Sequence, residues 1–303
     1  MNQQAKQPAK FLNSLKAVAK YPYYNRFWDG IQKGWFPIFI KYPVHPKPRF
    51  GYFGEPPNSF LYDLIGQNRH IYHEHLVSFL QFKEYLLDVA NRSPDDPIAP
   101  FWKNAWFSGL DAIALYSFMA MTNPELYIEI GSGTSTKFVR KAIRDHGLKT
   151  NVVSIDPSPR SEINTISDEI IRSPLEESDL SIFDRLGPGD ILFFDGSHRC
   201  FMNSDVTVFF LEVLPKLPSG LLIHIHDIYL PYDYPPKRDM HYESEQYLIA
   251  AMLLGGCTQY EIVLANQFII RDEPLLNLLD VFWSSETPTI PNTRGTSLWI
   301  RKT

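Results

Sequence analysis

Cysteine is scarce: Cys200 and Cys257 are the only two in 303 residues. Two thiols exclude a disulfide framework and a four-cysteine metal site, and they fit a reducing compartment, so a cytoplasmic protein is expected. No apolar run reaches about 18 residues, which excludes an ordinary transmembrane helix. The N-terminus lacks the basic, apolar, small-residue order of a secretory signal. There is no internal repeat and no low-complexity tract. Hydrophobic residues make up 44% and charged residues 21%, close to the globular average, which excludes global disorder.

Net positive charge is also missing from most of the chain. The net charge is −5, yet residues 1–50 alone carry nine Lys and Arg against the single acid Asp29, a net of +8. The remainder is therefore at −13, which excludes a protein that binds nucleic acid along its whole length. Aromatics, in contrast, are abundant: 21 Phe, 16 Tyr and 6 Trp are enough for a large core and for rings lining a ligand pocket.

The pattern along the chain changes near residue 100. Residues 9–20 place Phe11, Leu12, Leu15, Val18 and Ala19 on one helical face with lysines off it. Such a helix docks on its own core or contacts a membrane or partner surface. Six prolines between 36 and 57 predict an extended arm. Residues 58–92 and 103–121 read as helical. From residue 125 short apolar runs at 126–130, 151–155, 169–172, 191–194 and 221–225 alternate with helices at 135–146, 180–186, 206–214 and 243–254. Continuous apolar strands alternating with helices predict a parallel sheet covered on both faces. Runs at 260–265 and 296–301, separated by a loop with a short helix at 275–283, predict a terminal antiparallel pair. The expected organisation is a helical and extended region over 1–100, acting as lid or oligomer contact, and an α/β domain over 101–303.

The first strand runs into E-I-G-S-G, with Glu129, Gly131, Ser132 and Gly133, and a helix starts near Ser135. Glycines at a strand end let a ligand approach the backbone, and the helix N-terminus offers free amides. Asp156, 23 residues past Gly133, ends the second strand where an acid accepts hydrogen bonds from ribose hydroxyls. Together these features predict a nucleotide-type ligand. A nicotinamide-dinucleotide oxidoreductase is the competing enzyme class; it calls for a third glycine where Ser135 stands and for a parallel sixth strand.

The stretch from Glu129 to Asp156 resembles the class I S-adenosylmethionine (SAM)-dependent methyltransferases. The likeness continues through Asp195-Gly-Ser-His198 after the fourth strand and His226-Asp227 after the fifth, and it spans about residues 103–303. The D-G-x-H segment is closest to bacterial methyltransferases acting on small-molecule hydroxyls. The resemblance implies a Rossmann-like seven-stranded sheet and SAM as cofactor. It implies that Glu129, Gly131, Ser132, Gly133 and Ser135 hold the methionine end, Asp156 the ribose, and Asp195 the junction with the acceptor. Glu176 falls where the family contacts adenine, and Trp102, Asn104, Trp106 and Asp111 fall on an element that closes over cofactor or acceptor.

The second constellation is Asp195, His198, Asp205, His224, His226 and Asp227. Strand alternation puts His224 and His226 on one face, with only His226 near the strand end, so His224 is expected in the core. Two chemistries remain open. His198 or His226, oriented by an acid such as Asp227, could act as general base for an acceptor hydroxyl. Alternatively Asp195, His226 and Asp227 could hold a divalent metal. Residues 228–236, rich in tyrosine and proline, are expected to line the acceptor pocket, with Asp233 and His241 as further candidates. Cys200 is expected to be a buried apolar residue. The expected acceptor is a small molecule, with homo-oligomerisation open. A SAM-binding sensor or inactive subunit is the alternative from another class.

Overall fold

The computed structural model describes residues 45–107, 109–283, 290 and 293–303. The expected helix at 9–20 and the arm before residue 45 lie outside the described residues. The chain divides after His45, and Pro46–Thr303 is a compact unit in its own right. Among the described residues no helix is long and apolar enough to cross a membrane.

The unit is a seven-stranded sheet flanked by helices. Strands β1 (Leu126–Ile130), β2 (Asn151–Ile155), β3 (Glu169–Ile171), β4 (Ile191–Phe194) and β5 (Leu222–Ile225) are parallel. Strands β6 (Tyr260–Ala265) and β7 (Leu298–Lys302) close the edge, with β7 antiparallel to both β5 and β6. The order is β3-β2-β1-β4-β5-β7-β6. The antiparallel edge is the one expected from the last two apolar runs, and it departs from the parallel sixth strand of the dinucleotide oxidoreductases.

All residues of β1, β4 and β5 are buried, which is why they read as apolar runs broken only by Glu129 and His224. Helices α1 (Ser59–Gly66) and α2 (Arg69–Phe79) send Leu61, Ile65, Tyr72, Leu76 and Phe79 into the common core. Helix α3 (Leu110–Thr122) is buried from Leu110 to Met119 and packs on α4 (Thr134–His146). Helix α5 (Glu245–Leu254) precedes β6.

Two helical expectations differ from the structure. Residues 103–107 are irregular because Asn104 captures the local backbone: its Oδ1 accepts from Trp106 N and Phe107 N, and its Nδ2 donates to Phe101 O and Phe107 O. Helix α3 therefore starts only after Gly109, whose φ is +64°. The expected helix at 206–214 is one α-turn (Asp205–Val208) running into a π-helical segment (Phe209–Val213), which ends in a 3₁₀ turn at Pro215.

Candidate functional site

The strand ladder continues past the strand ends and delivers the chemistry-bearing residues to the carboxyl edge. Gly131 N donates to Ile155 O, Asp195 N to Ile130 O and His226 N to Phe194 O, at 2.9–3.0 Å. Gly131, Asp195 and His226 are thereby side by side, where open α/β sheets bind ligands.

Gly131 has φ +80°, and a Cβ there would overlap the carbonyl oxygen of Asp195. Only glycine lets the β1 and β4 ends approach so closely. Gly133 differs: a Cβ there would project into open space. The loop between them is fixed from behind. Asp156 Oδ2 accepts from Ser132 N at 3.0 Å and from Ser132 Oγ at 2.6 Å, while its Oδ1 accepts from Ser158 N. Asp156 stands at the end of β2, as expected, with its carboxylate committed to the glycine loop.

Glu129 is fully buried. Its Oε1 accepts from Thr136 Oγ1 and Ser154 Oγ, both at 2.6 Å, and Thr136 Oγ1 in turn accepts from Gly133 N. Burial raises its pKa to about 7 against the pull of these hydroxyls. In this arrangement the carboxylate ties β1, β2 and the start of α4 together beneath the loop. Ser135 is buried in the first turn of α4.

Two features fit a nucleotide-type cofactor. The space at the Gly133 Cβ position is empty, and Glu176 Oε2 is buried without a hydrogen-bond partner. Buried acceptors are ordinarily paired, so an oxygen without a partner among the described residues is free to accept from a ligand.

Beyond the loop stands a chain of alternating carboxylates and imidazoles. Glu245 Oε2 lies 2.8 Å from His198 Nδ1, and His198 Nε2 lies 3.3 Å from Asp195 Oδ1. The same oxygen lies 3.3 Å from His226 Nδ1, and His226 Nε2 lies 3.6 Å from Asp111 Oδ2. Asp195, with its side chain 36% exposed, is the member open to the cleft; Glu245 and Asp111 are buried. Burial works against charge on both rings, but Asp195 and Glu245 hold the His198 pKa well above its ordinary value, and Asp195, Asp227 and Asp111 do the same for His226. Burial likewise opposes ionisation of Asp195, and the two imidazoles overcome it and hold its pKa far down. Both rings thus hold a proton more tightly than a free histidine does, which weighs against either as a base until that proton is drawn off.

His224 is buried against Trp299, with ring centroids 4.0 Å apart, and its Nε2 is 2.6 Å from Ser297 Oγ. Burial pushes its pKa well down, and it is the core histidine that was expected. Asp205 stays out of the cleft: it accepts from Ser197 N and Ser197 Oγ and so holds the turn that presents His198. Asp227 faces Arg238 Nη2 at 2.6 Å. Asp233 accepts from the backbone of Arg49 and Phe50 and from Tyr247 OH, an anchoring role. His241 is exposed and pairs with Glu243. Tyr229, Tyr232 and Tyr234 are buried, so the tyrosine loop is packed inward rather than lining an open pocket. Trp102 is core, Cys200 is half-buried, and Trp106 is exposed with Arg160 over its ring at 5.7 Å.

The donor set fits a metal poorly. Asp227 already carries a guanidinium, and both nitrogens of His226 face carboxylates. Among the described residues no three His, Cys, Asp or Glu side chains are grouped to hold an ion.

Sequence reasoning did not find Glu245 or Arg238. Glu245 reads as an ordinary acid at a helix start, and Arg238 as a loop charge; only the fold brings them to the cleft.

Residues 128–228 match a family model described as a methyltransferase domain. No curated protein matches the chain. Among solved structures the chain is similar to the SAH-bound methyltransferase PaMTH1 of Podospora anserina, at 16% identity over 76% of this chain and 88% of that one, with a TM-score of 0.41. It is similar to an O-methyltransferase from Bacillus cereus in complex with SAH, at 18% identity over 62% and 82% of the two chains, TM-score 0.35. A third is the O-methyltransferase TomG from Streptomyces achromogenes, involved in tomaymycin synthesis and solved with SAM, at 17% identity over 49% and 69%, TM-score 0.35.

Proposed function

We propose that this chain, whose residues 128–228 match a methyltransferase domain, is a SAM-dependent methyltransferase that moves a methyl group onto a hydroxyl of a small molecule. SAM, when bound, supplies a methyl group on a sulfonium, open to in-line displacement. Gly131, Ser132, Gly133 and the amides opening α4 would hold its methionine end, Asp156 its ribose, and the unpartnered Glu176 Oε2 its base. Glu129 acts one layer back by holding the loop in shape.

The observation that carries the reading is the convergence on one glycine loop. Ser132 is bound by Asp156 on one side, and Gly131 abuts Asp195 on the other. The ribose-type acid and the acid at the centre of the imidazole chain thus flank a single cradle.

Asp195 receives the acceptor hydroxyl as a hydrogen-bond acceptor and aligns its oxygen. His198 is the base. Its Nε2 proton leaves more readily when a second positive charge stands at the cleft, because like charges disfavour imidazolium. The neutral ring then takes the acceptor proton as the new C–O bond forms. His226, enclosed by Asp195 and Asp111, keeps its proton and holds Asp195 ionised.

Calorimetric titration of the full chain with S-adenosylhomocysteine (SAH) tests the cofactor site. Binding in the micromolar range is expected, with affinity at least about tenfold weaker in Asp156→Ala, the loss of roughly 1.4 kcal/mol. Absence of binding to the wild-type chain would overturn the reading.

A further inference from the structure

We propose that Glu245 is the positioning residue for His198: it fixes the ring so that Nδ1 carries a proton toward Glu245 and Nε2 faces Asp195 and the cleft. This rests on His198 acting as the base.

The same two residues hold each other at two points. The backbone N–H of Glu245 donates to the carbonyl of His198 at 3.2 Å, and the Glu245 carboxylate meets the His198 ring at 2.8 Å. The clasp is reinforced on either side. Ser244 N donates to the same His198 carbonyl, Ser244 Oγ accepts from Cys200 N, and Arg199 Nε donates to His241 O. His198 has φ +61°, a backbone region that a non-glycine residue keeps only when its surroundings over-determine it. The start of α5 is that surrounding, and its effect is to aim one imidazole.

The two ends of the carboxylate–imidazole chain are not equivalent. Asp111 accepts from Thr296 N, Ser297 N and Asn266 Nδ2, so its burial is explained by what it holds together. Glu245 is just as buried, its Oε1 has no partner, and its Oε2 meets only His198. A buried carboxylate with half its acceptors empty is a poor structural element. Its one interaction is the orientation of a base, the arrangement by which a third group makes a nucleophile–base pair effective.

The test uses the full chain with ¹⁵N-labelled histidine, in wild type, Glu245→Gln and Glu245→Ala, with His198→Gln to identify the His198 resonances. In wild type a slowly exchanging proton on His198 Nδ1 is expected. In Glu245→Ala it exchanges at least about tenfold faster, as a lost charge-assisted hydrogen bond implies. In Glu245→Gln, which keeps an acceptor but loses the charge, the proton remains but its resonance moves upfield. The His226 resonances and SAH affinity stay at wild-type values in both. Unchanged His198 signals in Glu245→Ala would overturn the proposal. So would loss of His226 signals and SAH binding together, which would mark a purely structural residue. If Glu245→Ala does not fold, an unmoved His198 resonance in Glu245→Gln overturns it alone. Wild-type chain that fails to bind SAH removes the cofactor reading, while the ring's proton placement is still read.

Discussion

Gly131 packs against Asp195 so tightly that a side chain of a single carbon would overlap the Asp195 carbonyl oxygen. This contact seats the glycine loop, proposed to hold the cofactor, on the strand that leads into the carboxylate–imidazole chain. Gly131→Ala therefore combines a clash with backbone that cannot move and a positive φ, and a loss of at least about 2 kcal/mol is expected. Gly133→Ala meets nothing within 4 Å and should fold as wild type. Its methyl group would nonetheless occupy the space assigned to the cofactor, so SAH affinity should fall at least about tenfold. Denaturant melts and SAH titrations of the two variants separate the roles. Equal behaviour of the two in both assays would contradict the assignment.

Glu129 makes stability depend on pH in an unusual direction. Its pKa in the folded chain is raised to about 7, whereas an unfolded glutamate titrates near 4.5. Between these values the folded state binds a proton that the unfolded state has lost, so stability falls as pH rises from about 4.5 to about 7 and is flat above. The slope for this one group approaches about 1.4 kcal/mol per unit. Glu129→Gln keeps an oxygen for Thr136 and Ser154 and removes the ionisation. It should be more stable than wild type at pH 8 and equal to it at pH 4. Urea melts at both values check this. SAH affinity in Glu129→Gln should stay within about threefold of wild type; a larger loss would mean that the carboxylate touches the ligand directly.

Arg238 decides whether Asp227 is available to a cation. The pair is at 2.6 Å with side chains 20% and 12% exposed, and Asp227 lies among His198, His226 and Tyr229. Arg238→Met removes the guanidinium that binds Asp227 and Glu243 but leaves His226 and His198 beside Asp227, so a cost of about 2 kcal/mol is expected. Added Mn²⁺ should then raise the melting temperature of the variant and leave wild type unchanged. A comparable rise in wild type would restore the metal reading for Asp195, His226 and Asp227.

The sheet was largely legible before any coordinates. Strands buried on both faces carry few polar residues, so 191–194 and 221–225 stand out as largely apolar runs, and the glycine that permits close approach to Asp195 leaves a mark at 131. What stayed hidden arises from side chains that capture backbone or cross the fold. Asn104 turns an apparent helix into a loop by taking its amides. Glu245 reaches His198 across 47 residues and Arg238 reaches Asp227 across 11, with no local period to announce either. The acid in β1, Glu129, was legible as important, but its full burial was not, because a motif records residue type and not the direction in which a side chain points.

The imidazole chain also predicts that SAM and SAH bind with different proton stoichiometry. Asp195 and its neighbouring acids raise the pKa of His198 and His226. SAM brings a sulfonium charge that SAH lacks, on an otherwise similar scaffold, and a like charge near an imidazolium disfavours it. The raised pKa of the ring nearest the cleft therefore falls when SAM binds, and a proton is released into solution at pH values between the lowered and the original pKa. SAH binding leaves it in place. Titrating the chain with each ligand in phosphate and in Tris, whose ionisation enthalpies differ, reads the protons from the slope of heat against buffer enthalpy. A larger release with SAM is expected in a series of titrations across the neutral and mildly alkaline range, and His198→Gln should abolish most of the difference. Identical slopes for the two ligands would mean that the cofactor does not unmask the base, and the acceptor proton would then have to pass to Asp195 alone.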